Sequence, residues 1–320
     1  MPLESSPSAT VQNTAFNWHR QNTNVEEARL ATAAAQEEWD GVATVEPMYR
    51  VSVQPASHIS FQQALAYFQG RDLSEYMSSI QPEVEQRGLC TLLSCLMGPP
   101  QLEDHLVAER DLVFAIAQCK LDVTEAVHVR ILQTVYYRFT GATLGCPCYG
   151  SHWEHIGFQG SDPGTDLRGV GMLGLLQLLY LSSTPQLSPL AKHIYRVSND
   201  VIQNFPLAIL SFNLTRMALQ ALRQGQLNRE CNERQMVVDV LNEFYAAVFY
   251  HMVQIWTTQH KTIRDSGYVL KEVEWFCRSN VRAVMRNLQS HIKSISPNDK
   301  FCFRESFHDL RTQAKTEVFI

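Results

Sequence analysis

Positive charge is in short supply in this 320-residue chain: 27 Lys and Arg stand against 32 Asp and Glu, a formal net charge of −5. No bulk basic field therefore draws it to nucleic acid or to an anionic membrane. Long hydrophobic runs are lacking too. The longest, Val170 to Tyr180, is interrupted by Gly171, Gly174 and Gln177 and falls short of the roughly 18 to 20 residues that span a bilayer. The residues from Met1 to Ala15 show no basic start followed by an apolar core, so a secretory signal is not expected and a cytoplasmic location is. Cysteine is sparse. Cys90, Cys95, Cys119, Cys146, Cys148, Cys231, Cys277 and Cys302 are too few for a disulfide scaffold and are expected as reduced thiols, most of them buried. What the chain does have is 45% hydrophobic residues, enough for a substantial core.

From Met1 to about Ala56 the sequence is polar, carries Pro2, Pro7, Pro47 and Pro55, and shows no sustained apolar period. Ordering it would cost more entropy than its burial returns, so residues 1–56 are read as a mobile tail. Val25 to Trp39, rich in Ala and Glu, is compatible with a helix docked by Trp39 or with helicity that has no partner. After Ser57 the pattern changes, and residues 57–123 are expected to pack as a helical region on the domain that follows. Phe61, Leu65 and Phe68 keep helical spacing up to Gly70, and Leu73, Tyr76, Met77 and Ile80 do so up to Pro82. Leu89 to Met97 is apolar, and Leu102, Leu106, Val113 and Ile116 mark the next helix. Thr124 is placed to cap another, which carries Val127, Ile131, Val135 and Phe139 and stops near Gly141.

Further on, Ser188 and Pro189 read as an N-cap and a first-turn proline ahead of Leu190, Ile194 and Val197. Pro206 opens a run through Leu207, Leu210, Leu214 and Met217 that ends at Gly225. Val237 through Ile255, then Val269 through Ile292, predict two long antiparallel helices, with a C-terminal short helix and tail over 297–320. No strand-like alternation flanked by hairpin turns and no recurring period is present. The expected fold is all-α, a compact bundle of roughly nine or ten helices in which a glycine-rich loop leads into a buried central helix.

That loop, within Gly141 to Tyr180, is where chemistry is expected, because long loops in compact domains tend to carry function. Three readings compete for it. Gly169, Gly171 and Gly174 match G-x-G-x-x-G, but a dinucleotide fingerprint needs a preceding hydrophobic strand, and here the preceding residues are polar. Gly171 and Gly174 are read instead as packing glycines. Cys146, Cys148, His152 and His155 are all types that bind zinc, yet Cys-x-Cys is a poor ligand spacing, and buried thiols beside surface imidazoles are the alternative. Asn213-Leu214-Thr215 is a formal glycosylation sequon set in a helical pattern, where modification is not expected.

The third reading concerns Arg168. Asp166, or Thr165 before it, is the expected N-cap of the apolar helix, which would set Arg168 in the first turn, where the helix dipole disfavours a cation by about 0.3–1 kcal/mol. Either a salt bridge to Asp162 or Asp166 holds it there, or the turn projects the guanidinium toward an anion on another molecule, the chemistry of an arginine finger.

At these residues the sequence resembles the ELMO (engulfment and cell motility) domain. The signature residues are Trp153, Gly157, Gln159, Gly160, Pro163, Asp166, Arg168, Gly169, Gly171 and Gly174. The likeness spans about Thr124 to Ser296, so residues 124–296 are read as the domain, and likeness to the short ELMO-domain-containing subfamily reaches upstream to about Ile59. The resemblance implies an all-α domain that activates GTP hydrolysis by small GTPases of the Arf family, including Arf-like members, with the signature arginine, Arg168, as the catalytic group. It implies no independent enzyme activity, no bound nucleotide of its own, no cofactor and no metal. Larger relatives that act as scaffolds are described as lacking this arginine, which favours activation. Gln159 is expected to make hydrogen bonds in the loop or to orient the attacking water, Asp166 to cap, and Trp153 and Phe158 to anchor the loop. Leu167 departs from the pattern, standing where several relatives carry an aromatic residue. The competing expectation is an adaptor module that binds a GTP-loaded GTPase, or a cytoskeletal partner reached through the N-terminal tail, with Arg168 purely structural. An independent hydrolase would need a clustered nucleophile and base, and no convincing pair is present.

Overall fold

The computed structural model describes residues 58–78, 80, 100–142 and 145–295. The tail over 1–56, the Val25–Trp39 segment, the apolar stretch Leu89–Met97, residues 297–320 and the thiols Cys90, Cys95 and Cys302 lie outside the described residues. Every α-helix expected inside them is present, and no strand occurs among them, so the fold is all-α.

A reciprocal capping box, in which the Ser60 hydroxyl and the Gln63 side chain each accept the other's backbone N–H, starts α1 (Phe61–Gly70). A single turn, α2 (Ser74–Met77), leads on to α3 (Asp104–Gln118). Next comes α4 (Ala126–Thr140), which ends where Gly141 takes the left-handed conformation at φ 69°. Thr124 does not cap α4: its hydroxyl and its N–H both donate to the Asp122 carboxylate, and Glu125 occupies the cap position without a side-chain capping bond. Residue type suits Thr124 to the cap, but the Asp122 carboxylate two residues back takes its hydroxyl.

The loop delivers the chain into α5 (Gly171–Ser183), in which every residue from Gly171 to Ser182 is buried. A helix apolar all round is stable only when surrounded, and α5 packs against α1, α3 and α4 as well as later helices. At α1, Phe61 meets Tyr180 edge-on at 5.3 Å, and the Ile59 N–H ahead of it donates to Thr134 Oγ1. After a 3₁₀ turn at Pro185–Leu187 comes α6 (Ser188–Ser198). Ser188 is therefore the first residue of the helix and not its cap, because the turn already winds the chain before Pro189.

Pro206 opens α7 (Leu207–Arg223) as expected. A short polar helix, α8 (Asn228–Arg234), has no expected counterpart. The 21-residue α9 (Val238–Thr258) crosses the core beside α5. The partner expected as one long helix is two, α10 (Ser266–Ser279) and α11 (Val281–Ile295), broken at Asn280, whose side chain donates back to the Phe276 carbonyl. That local bond competes with helix continuation, and the apolar spacing alone does not register it. With α8 and this break, eleven α-helices stand among the described residues, against nine or ten expected.

Candidate functional site

The loop is a sequence of anchors. Gly150 at φ 141° starts a 3₁₀ turn over Ser151–Ile156, and Gly157 at φ 83° ends it. Trp153 is fully buried and donates its indole N–H to the Cys148 carbonyl at 3.0 Å. Tyr136 and Phe158 pack edge-on against its ring, and Phe158 in turn meets Phe212 of α7. Gly157 lies so close to α7 that a Cβ there would overlap the backbone of Pro206 and Leu207, and its carbonyl accepts the Ile209 N–H. Across the base of the loop, the Gly150 N–H donates to the Ser161 carbonyl at 2.9 Å.

Asp162 caps a second 3₁₀ turn, Pro163–Thr165, by accepting the Gly164 N–H at 2.9 Å, with Pro163 buried at its first position. Asp166 does not cap the apolar helix, which begins only at Gly171 with Val170 before it. Its carboxylate turns back instead and accepts the Gln159 N–H at 2.6 Å. Burial raises the Asp166 carboxyl above its ordinary value, the Gln159 N–H works against that shift, and the Asp162 charge adds to it. The expected cap failed because the chain makes one more turn, 166–170, before the helix. The N-terminus of α5 is held by backbone: Gly171 N–H donates to the Leu167 carbonyl and Met172 N–H to the Cys119 carbonyl, each at 2.8 Å.

Arg168 stands in that extra turn, outside α5. Leu167 and Val170, on either side, are buried, the aliphatic Leu167 filling a core site. Arg168 and Gly169 between them are exposed. Arg168 makes no hydrogen bond or ion pair among the described residues. The expected alternative of a salt bridge to Asp162 or Asp166 is not formed among the described residues; each carboxylate accepts a backbone N–H group. Gln159 and Gly160 are exposed beyond the Asp166 contact, which places Gln159 as a loop hydrogen-bonder through its backbone.

The two glycines expected to serve packing do so. A Cβ on Gly171 would stand 2.5 Å from the Ala117 carbonyl oxygen and 2.6 Å from that of Cys119; one on Gly174 would meet Phe212 at 2.9 Å. At the candidate zinc ligands, His152 Nε2 faces the Pro147 carbonyl and His155 lies beside Tyr136. Burial pushes the thiol of Cys146 up to about 11 and raises that of Cys148. No group of three His, Cys, Asp or Glu gathers at metal-holding distance among the described residues. Asn213 and Thr215 are bonded within α7, to the Ile209 and Ser211 carbonyls.

Arg168 borders an open cleft of about 1060 Å³ between the end of α3, the loop and α7. Lys120, Arg216 and Arg223 line the same cleft. Sequence reading passed over all three. The available signal was the seven-residue spacing of Arg216 and Arg223, which puts them on one face of α7 opposite its apolar stripe.

A family model described as the ELMO/CED-12 family matches residues 111–270. The human protein named ELMO domain-containing protein 3 is 45% identical over 285 residues, covering 88% of this chain and 74% of its own. The chain belongs to the ELMO/CED-12 family. The mouse protein of the same name is 47% identical over 265 residues, 82% of this chain and 70% of that one. The human ELMO domain-containing protein 2 is more distant, 34% identical over 107 residues, 32% of this chain and 36% of its own. No solved structure matches. As an ELMO-domain chain it carries no helix long and apolar enough to cross a membrane among the described residues. Of its thiols, Cys119, Cys231 and Cys277 are free and buried, and Cys146 and Cys148 are free and partly buried.

Proposed function

We propose that the chain is a GTPase-activating protein for Arf-family or Arf-like small GTPases, and that Arg168 supplies an arginine finger in trans. The observation that carries this reading is the exposed, unpaired guanidinium of Arg168 held between two buried neighbours. A fixed backbone with a free cation is what an acting finger needs, because the side chain reaches out without the loop having to be ordered first. Family membership supports the partner class.

Arg168 enters the nucleotide pocket of the GTP-loaded partner and neutralises charge developing on the transferring phosphoryl group. The GTPase supplies its own P-loop, magnesium ion and positioned water, so this chain is an activator with no reaction centre of its own. An arginine supplied in this way is worth about 10³–10⁵ in rate. Asp166 and Trp153 hold the loop, and Gln159 closes it through its backbone. The adaptor reading gains from an Arg168 enclosed by carboxylates, and the turning of Asp162 and Asp166 to backbone N–H groups gives it no such support.

Single-turnover GTP hydrolysis by a panel of Arf and Arf-like proteins tests the proposal. The intact chain accelerates at least one of them, and Arg168→Lys, which keeps the charge and loses the planar fork, removes most of the acceleration. A rate that survives the swap refutes the finger.

A further inference from the structure

We infer that Lys120, Arg216 and Arg223 form a basic docking strip that seats an acidic, protruding segment of the GTP-loaded GTPase and thereby aligns Arg168. The inference rests on the proposed function for its partner class. The cleft beside Arg168 is lined by four cations, Lys120, Arg168, Arg216 and Arg223, and by one carboxylate, Asp162, which already accepts the Gly164 N–H. All four cations are exposed, and none is in an ion pair among the described residues. Such a local excess is unusual in a chain whose net charge is −5. Like charges gathered in one concave cleft repel one another and build up a positive potential, which an incoming anionic surface relieves.

Two of the cations are held ready. Arg216 donates to the Asn213 side chain at 2.9 Å, and a Cβ on Gly169 would be 3.9 Å from its guanidinium, so Arg216 sits against the turn that carries Arg168. Arg223 lies over the Phe114 ring, 4.6 Å from its centroid, which orders the side chain without neutralising it. The two are seven residues apart on α7, about 10.5 Å along the helix, so the strip presents a line of charge beside the finger. Tyr149, 55% exposed, lines the same cleft and offers the amphipathic aromatic surface typical of protein contacts. The concavity favours a protein over a bilayer as occupant, because a protruding segment enters a cleft that a flat anionic membrane only bridges.

Arf and Arf-like GTPases loaded with a non-hydrolysable GTP analogue are titrated with the full chain and with three variants: Arg216→Glu/Arg223→Glu, Arg216→Lys/Arg223→Lys and Lys120→Glu. A thermal melt checks the fold of each. The double reversal weakens binding about tenfold or more at low ionic strength and flattens its salt dependence, while the Lys pair keeps both. Lys120→Glu, at an independent position, moves binding in the same direction should the double variant not fold. Folded reversal variants that bind as tightly as the unaltered chain, or an unaltered chain that binds no member of the panel, overturn the docking strip. So does a loss seen only on anionic phosphatidylserine vesicles. Binding that depends on the strip in a chain that accelerates no GTPase refutes the finger and leaves the strip standing. Arg168→Lys abolishing turnover while the reversals bind normally does the opposite.

Discussion

The Asp166 carboxylate reaches back seven residues to accept the Gln159 backbone N–H at 2.6 Å, closing the segment between them into a ring. This bond fixes the approach to Arg168 from its N-terminal side. Asp166→Ala removes it at a cost of about 1–2 kcal/mol in stability, since the freed N–H belongs to an exposed residue and water replaces the carboxylate. The proposed activity suffers more than the fold, because the finger loses its support. Asp166→Asn keeps an acceptor oxygen and retains most of the stimulated rate. Comparing the two variants by thermal melt and by single-turnover hydrolysis checks this; equal rates for both contradict the supporting role.

Two neighbouring glycines should respond very differently to alanine. At Gly169, φ is 83° and the nearest atoms to an added Cβ are 3.9 Å away, so Gly169→Ala costs only the left-handed backbone penalty of about 1–2 kcal/mol. Gly171→Ala drives its methyl into the carbonyl oxygens at the end of α3, where backbone must move. A loss above about 3 kcal/mol, or failure to fold, is expected. Urea midpoints rank the pair, and a similar small loss for both is evidence against the close approach of α5 to α3.

Trp153 carries both a packing and a polar role. Trp153→Phe keeps the ring contacts with Tyr136 and Phe158 in part but orphans the Cys148 carbonyl, for a loss of about 1–3 kcal/mol. Trp153→Ala adds a cavity and costs about 3–5 kcal/mol. Measured by denaturant unfolding, equal losses in the two variants contradict the packing role, and a Trp153→Phe loss near zero contradicts the polar one.

His128 makes stability depend on pH. Burial, the larger cause, and the Arg71 charge hold its imidazole below the ordinary value of 6.5, against the opposing pull of Glu125 and Asp122. Its Nδ1 accepts the Asp122 N–H, and the ring stacks on Phe68. The unfolded chain therefore binds a proton more readily than the folded one. The stability tied to a neutral His128 is complete above pH 6.5 and is lost as pH falls below 6.5 through the folded value. Thermal melts across this window drop more steeply for the unaltered chain than for His128→Gln. A residual slope remains in the variant, because burial also lowers His193 and His251. Parallel curves contradict the assignment.

Elements whose signal is local were legible in advance. The apolar spacing of α1, α3, α4, α7 and α9, the stop at Gly141 and the start at Pro206 are near-neighbour properties, and each stands where the spacing placed it. The caps expected at Thr124 and Asp166 are not formed because each side chain bonds a nearer partner, Asp122 and the Gln159 N–H, and Ser188 is not a cap because the 3₁₀ turn Pro185–Leu187 already winds the chain before it. The break at Asn280 was invisible for a related reason: one side chain bonding a carbonyl four residues back interrupts a helix without disturbing its apolar period.

By itself the amino-acid sequence determined the all-α class, the loop that carries the family signature and the need to surround a helix apolar on every side. Those follow from periodicity, glycine placement and burial, which are written residue by residue. Only the tertiary structure decided that Arg168 is free, because whether Asp162 and Asp166 pair with it depends on which backbone N–H groups the folded loop turns toward them. Only the tertiary structure set Lys120, Arg216 and Arg223 beside it. Helices distant in sequence meet there, and charges that cancel in a chain-wide sum do not cancel within one cleft.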